Sequence, residues 1–201
     1  HVRYSTAGNH NRANAQPLVV RHRKGTMVLA HNGNLINAVQ LREELEMQGA
    51  IFHSTTDTEV MSHVIIRARL ESSSIEEAIS HSMNKIQGAY SQVIMSPQKM
   101  IAVRDPKGFR PLCMGKLGES VVFASESCAL DGIGASFVRD IDPGEIVIVT
   151  RDSEGKVQVR SDRTHCGEKG NLCVFEFVYF ARPDSVVQGV TVHNARVRAG
   201  M

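Results

Sequence analysis

The sequence predicts an α+β fold in which helices come first and antiparallel strands follow. Three observations carry this. Between residues 34 and 85 apolar residues recur at three-to-four spacing with charges between them. From Ala89 to Arg160 they fall instead into short runs bounded by Gly, Pro, Asp and Ser clusters. The two patterns do not alternate along the chain, which argues for packed antiparallel layers over a parallel βαβ arrangement.

Residues 27–31 are a short apolar strand running into Asn32-Gly33, the pair that most strongly signals a tight turn. From Asn34 the pattern turns helical, with Leu35, Val39, Leu41 and Leu45 on the stripe and Gly49 closing it. A second helix starts near Asp57, where Thr56 or Asp57 can cap and Glu59 lies in the first turn; its stripe is Val60, Val64, Ile65 and Ala68. A third follows Ser72-Ser73-Ser74, with Glu76 and Glu77 early and Lys85 late. Strands at 90–95 and 100–104 flank Ser96-Pro97-Gln98-Lys99. Another pair, 112–116 and 120–124, joins through Leu117-Gly118. Residues 126–132 fit a short helix, and 146–150 with 156–160 are strands around Asp152-Ser153-Glu154-Gly155. The polar stretch 161–171 reads as a linker, after which the apolar run 173–180 opens a second unit.

The 201 residues allow one well-buried domain, or one domain and part of another. A 42% hydrophobic and 22% charged composition is that of an ordinary globular protein, and a net charge of +2 gives no reason to expect nucleic acid or an anionic membrane as partner. The basic cluster Arg21-His22-Arg23-Lys24, ending at Gly25, reads as a solvated loop. No apolar run reaches membrane-spanning length and none resembles a signal peptide. Cys113, Cys128, Cys166 and Cys173 form no C-x-x-C pair, so a reducing cytoplasm is expected. Cys113 and Cys128 read as core residues, not reactive thiols.

Three short segments carry most of the chemistry. Arg3 can grip a carboxylate with both arms of its guanidinium, and Thr6 can add a hydroxyl. The Asn32 side-chain amide and the Gly33 N–H can converge on one oxygen, as an oxyanion hole requires. Asp57 can balance an α-ammonium group, provided another residue such as Thr56 caps the helix. Each has a plainer reading: a surface arginine, a turn, a helix cap. Arg104-Asp105-Pro106-Lys107-Gly108-Phe109-Arg110-Pro111-Leu112 reads as a rigid architectural turn. Ser125-Glu126-Ser127-Cys128-Ala129 reads as an N-cap followed by a core-facing helix. Of the nine histidines, His31, His53, His63 and His81 fall on different elements without ligand spacing and read as surface or core residues.

Taken together, His1-Val2-Arg3-Tyr4-Ser5-Thr6-Ala7-Gly8, His31-Asn32-Gly33-Asn34-Leu35 and Thr56-Asp57-Thr58-Glu59 resemble the glutaminase domain of glutamine amidotransferases that use an N-terminal cysteine nucleophile. Tyr179-Phe180-Ala181-Arg182-Pro183-Asp184-Ser185 narrows the resemblance to the amidophosphoribosyltransferase family. The resemblance implies the four-layer αββα sandwich of N-terminal-nucleophile hydrolases, with residues 1–160 as glutaminase domain, 161–171 as linker and 172–201 as the start of a phosphoribosyltransferase domain. It implies roles for Arg3 and Thr6 at the glutamine carboxylate, Asp57 at its amino group, Asn32 and Gly33 at the oxyanion, and Tyr4 near the route by which ammonia leaves. It places the nucleophilic cysteine ahead of His1, so the sequence is expected to be truncated at both ends and inactive alone. Expected partners are glutamine and, through the second domain, phosphoribosyl pyrophosphate with Mg²⁺. The intact protein is expected to be a homo-oligomer, and Cys173 is a candidate iron–sulfur ligand. The rivals are the glutaminase domain of glucosamine-6-phosphate synthase and a non-catalytic amino-acid-binding relative.

Overall fold

The first strand pair forms around the basic cluster in the computed structural model, which describes residues 1, 11–167 and 170–201. Strand β1 (Leu18–His22) pairs antiparallel with β2 (Gly25–Leu35), Leu18 opposite Leu29 and His22 opposite Gly25. The expected loop is therefore smaller than its four residues: Arg21 and His22 belong to the ladder, and only Arg23 and Lys24 make the turn. Arg3, Tyr4 and Thr6 lie outside the described residues.

Two units are compact in themselves, His1–Ala102 and Val103–Met201. In the first, β2 also pairs with β3 (Gly88–Met95) in a regular register from Val28 opposite Met95 to Leu35 opposite Gly88. Helices α1 (Ala38–Met47), α2 (Asp57–Glu71) and α3 (Ile75–Met83) complete it. Helix α2 packs on α3, α1 and β2. Val60, Met61, Val64 and Ile65 of α2, Ala78, Ile79 and Met83 of α3, and Met27, Leu29 and Leu35 of β2 are all buried. Each large aliphatic among them contributes about 1.5–3 kcal/mol by leaving water.

Helix α1 begins later than its apolar pattern suggests. Leu35 stays in β2, opposite Gly88, and its N–H donates to Asp57 Oδ2 at 3.0 Å, so a tertiary bond prolongs the strand where local propensity favours helix. Val39 is then 72% exposed, whereas Leu41 and Leu45, one turn apart, are buried. Helices α2 and α3 start as expected. Thr56 Oγ1 accepts the Glu59 N–H and Ser74 Oγ accepts the Glu77 N–H. Lys85 falls just past the end of α3, beyond the Asn84 cap.

Strand β4 (Met100–Arg104) leads into the second unit. There β5 (Cys113–Leu117) lies between β6 (Ser120–Ala124) and β7 (Ser136–Asp140), all antiparallel. Helix α4 (Ser127–Gly132) buries Leu130 against Cys113 and Ala135. Strands β8 (Ile146–Arg151) and β9 (Val157–Asp162) form a hairpin. Strand β7 is among those not foreseen; its first three residues are exposed and show no inside–outside alternation. Its pairing with β5 also shifts register between Met114 and Gly115. After Asn171 come a π-helical turn (Glu176–Phe180), the short strands β10 (Val186–Val187) and β11 (Val190–Thr191), and α5 (Val192–Gly200).

The Arg104–Leu112 stretch is the architectural turn expected, held by two buried ions. The Arg104 guanidinium donates to the carbonyls of Arg110 at 2.8 Å, Ile141 at 2.7 Å and Gly108 at 2.9 Å. Asp105, also buried, accepts the N–H groups of Lys107 and Phe109. Burial disfavours the Arg104 charge, and Asp105, Asp140 and Asp142 oppose that loss. A lysine keeps the charge but not the planar fork that reaches three carbonyls. Arg104→Lys is expected to cost about 1–3 kcal/mol for each carbonyl left without a donor, read as a lower urea midpoint at unchanged m-value. An unchanged midpoint would show that the guanidinium fork does not hold this turn.

Candidate active site

The residues Thr56-Asp57-Thr58-Glu59 divide the work of one junction between them. Thr56 caps α2, which leaves the Asp57 carboxylate for the strand beside it. Asp57 Oδ2 accepts the Leu35 N–H at 3.0 Å, and its Oδ1 lies 3.6 Å from His31 Nδ1. Thr58 Oγ1 approaches the same imidazole nitrogen at 3.3 Å. Glu59 Oε1 accepts the His53 N–H at 2.9 Å, and Oε2 accepts the Ser54 N–H at 2.7 Å and its hydroxyl at 2.6 Å, folding the approach to the helix. Asn14 clamps that approach from outside, giving its amide to Thr55 Oγ1 and accepting the Thr55 N–H.

Both acids are held ionised. Burial pushes the Asp57 carboxyl upward, but the His31 imidazole and the backbone N–H groups of Leu35 and Thr58 outweigh it and bring it below the usual aspartate range. Burial likewise raises Glu59, and the bonds from Ser54 and His53 override it.

Asn32 and Gly33 lie within β2, opposite Ser91 and Tyr90, and make no turn. Gly33 has φ +146°, and a Cβ there would come within 2.0 Å of the Ala89 carbonyl oxygen. Close approach of β3, not chain reversal, therefore demands glycine at this position. The strand alternates regularly, with Met27, Leu29, His31 and Leu35 buried on the face toward α2 and Asn32 on the other. The structure thus brings Asp57 to β2, where its carboxylate accepts the Leu35 N–H three residues beyond Asn32. His31 was not foreseen as a partner of Asp57. Its Nε2 is buried without a hydrogen-bond partner among the described residues. A chain separation of 26 residues hides such a contact from any spacing rule.

The other candidates fall elsewhere. Burial pushes the Cys113 thiol up to about 12, in keeping with an inert core residue. Cys173 is half-buried and its N–H donates to the Phe109 carbonyl. Among the described residues no three His, Cys, Asp or Glu side chains gather as metal ligands. A pocket of about 340 Å³ is lined by His22, Lys24, Arg69 and Lys99 among others. Lys24 and Arg69 donate to carbonyls at the end of α2 and Lys99 pairs with Glu76, so these cations serve the fold.

Comparison with known proteins supplies what the geometry alone does not. Residues 1–132 match the family model of the glutamine amidotransferase domain. The chain belongs to the glutamine amidotransferase domain family. Amidophosphoribosyltransferase of Bacillus subtilis is 43% identical over 201 residues, all of this chain and 41% of the relative. The enzyme of that name from Methanocaldococcus jannaschii is 44% identical over 210 residues, covering 45% of its length. A solved glutamine phosphoribosylpyrophosphate amidotransferase from B. subtilis, complexed with ADP and GMP, superposes with a TM-score of 0.87 at 42% identity, over all of this chain and 42% of its own. A second structure, described as the allosteric regulatory enzyme of purine biosynthesis, gives 0.88 at 43% identity, with the same coverage. The chain spans about two fifths of the length of the curated relatives it matches. These likenesses put the α+β fold of this glutamine amidotransferase domain in the four-layer sandwich class expected from sequence. Among the described residues no helix is long and apolar enough to cross a membrane.

Glu59 gives the family domain a measurable acid sensitivity. Its folded-state carboxyl titrates below the unfolded value of about 4.3, so its stabilisation is complete above that pH and is lost as pH falls through the folded value. Glu59→Gln offers an N–H₂ where Ser54 and His53 present donors, and is expected to cost about 1–3 kcal/mol at pH 7. The gap to the unsubstituted chain should narrow below pH ~4, measured by urea unfolding at several pH values. A gap independent of pH would mean that the Glu59 charge contributes nothing.

Proposed function

We propose that this chain is the glutamine-hydrolysing end of an amidophosphoribosyltransferase. Intact, the enzyme releases ammonia from glutamine and passes it to phosphoribosyl pyrophosphate, giving 5-phosphoribosylamine in the first committed step of purine synthesis. The observation that carries this reading is identity above 40% to enzymes of that name along the whole chain, including the stretch beyond the family model. The relatives named above share this one activity, which favours it over glucosamine-6-phosphate synthase.

The reaction needs a cysteine thiolate that attacks the side-chain amide carbon of glutamine. The oxygen takes the negative charge, the C–N bond breaks and protonated nitrogen leaves as ammonia. Water then cleaves the γ-glutamyl thioester, giving glutamate and the thiol. In this reading Arg3 and Thr6 hold the α-carboxylate, Asp57 holds the α-ammonium, Asn32 and Gly33 bind the oxyanion, and Tyr4 borders the ammonia route. Asp57 suits its part because it is ionised and relieved of capping by Thr56. Residues 172–201 begin the phosphoribosyltransferase part, where Mg²⁺ accompanies phosphoribosyl pyrophosphate.

Asn32→Ala in the full-length enzyme tests the assignment. Alanine fits a strand, so the melting temperature should hold. The kcat with glutamine should fall on the order of 10²–10³, about 2.7–4 kcal/mol of lost oxyanion stabilisation, while ammonia-dependent synthesis is unchanged. A variant that melts early and loses both activities together would make Asn32 a structural residue.

A further inference from the structure

The pocket beside the β1–β2 turn and the end of α2 gathers more positive charge than its bonds to the fold neutralise. Lys24 Nζ donates to the Leu70 and Ser72 carbonyls at 3.4 and 3.2 Å, and Arg69 Nη1 donates to that same Ser72 carbonyl at 2.7 Å. Two cations on one oxygen lie within about 6 Å of each other. Carbonyls satisfy their N–H groups but bring no net charge to set against theirs. His22 registers the result: burial, then the charges of Arg69 and Lys24, hold its imidazole below the usual histidine range. In that neutral ring Nδ1 accepts the Lys24 N–H at 3.3 Å, which leaves the proton on Nε2 as a donor.

Nothing on the pocket wall balances these charges. Among the described residues that line it none is acidic. Lys99, on the same wall, is already paired with both oxygens of Glu76. Glu77 lies off the wall and accepts the N–H and hydroxyl of Ser73. The C-terminus of α2 offers about half a negative charge, and the N-terminus of α3 beside it returns about half a positive one. Two full charges, those of Lys24 and Arg69, are therefore left facing one cavity. A phosphate monoester carries about −1.5 to −2 near neutral pH, which matches them. The cavity volume of about 340 Å³ is at the small end of the roughly 300–1,000 Å³ that ligand pockets span. It has room for a small metabolite as well as its phosphate.

We propose that this pocket is a binding site for a small phosphate monoester. Lys24 and Arg69 take the phosphate oxygens, and His22 and the hydroxyls of Thr26 and Ser96 supply neutral donors around them. Ile75 and Pro97 form the apolar wall for the carbon skeleton. The site lies within the His1–Ala102 unit and is independent of the function proposed above.

The test is the rate at which Lys24 is acetylated in the full-length enzyme, followed by peptide mass spectrometry at fixed ionic strength. The probes are inorganic phosphate and glycerol 3-phosphate, with sodium chloride making up the salt. At ten times its half-saturating concentration glycerol 3-phosphate should slow Lys24 about tenfold, with exposed Lys116 unchanged. It should reach half effect at a severalfold lower concentration than phosphate, because its carbons leave water against Ile75 and Pro97. Arg69→Gln should abolish the protection. Because that variant also loses the bond to Ser72, Ser96→Asp provides the second test: it leaves both cations bonded and puts a carboxylate beside them. It should abolish protection with no fall in melting temperature. No saturable slowing, or undiminished slowing in Ser96→Asp, overturns the proposal. Equal half effects for the two probes would mean an adventitious ion only, and overturn it as well.

Discussion

The bond from Asp57 to the Leu35 N–H is the interaction on which the first unit depends. It fixes where β2 ends, delays α1 to Ala38 and ties the start of α2 to the sheet. It is available only because Thr56, one residue earlier, satisfies the helix. A carboxylate at the first helical position also faces the positive end of the helix dipole, which favours its charged form. Local capping, strand length and charge state at this junction are therefore one problem with one solution.

The second unit solves a similar problem with the opposite sign of charge. Arg104 is buried with backbone carbonyls as acceptors, and Asp105 beside it takes backbone N–H groups. An ion buried in this way contributes little net energy, since desolvation offsets much of the gain, but few other backbone paths satisfy it. The 104–112 turn is in effect specified by the need to keep two charges bonded. Its Lys107 and Phe109 carbonyls then serve as acceptors for Asn171 and Cys173.

What was legible in the sequence follows the range of the interaction. The starts of α2 and α3 were legible because their caps lie within three residues of the groups they serve. The strand pairs β3 with β4, β5 with β6 and β8 with β9 were legible because short turns join them. The Asn32-Gly33 pair misled as a turn signal because the real demand on Gly33 comes from Ala89, far along the chain. The start of α1 was misplaced for the same kind of reason, the deciding partner being Asp57. Strand β7 left no trace because it pairs with β5 through backbone groups while its first three side chains are exposed. The partners of Glu126 and Ser127 were hidden too: the residues looked like a helix start, whereas their side chains accept from Arg182, Ser185 and Val186.

The two acids of the Thr56–Glu59 segment differ in a way that bears on which can meet a ligand. An ionised carboxylate has about four acceptor sites. Glu59 uses three of them on short bonds from His53 and Ser54, all between 2.6 and 2.9 Å, inside a closed loop. Asp57 accepts the N–H groups of Leu35 and Thr58, with only a longer approach from His31 beside them. Replacing that approach by an ammonium group would exchange a weak partner for a strong one without breaking the bond that ends β2. Of the two, only Asp57 combines a held charge with an acceptor site that a cationic group could take, and the same arrangement explains why Glu59, equally charged, is confined to the fold.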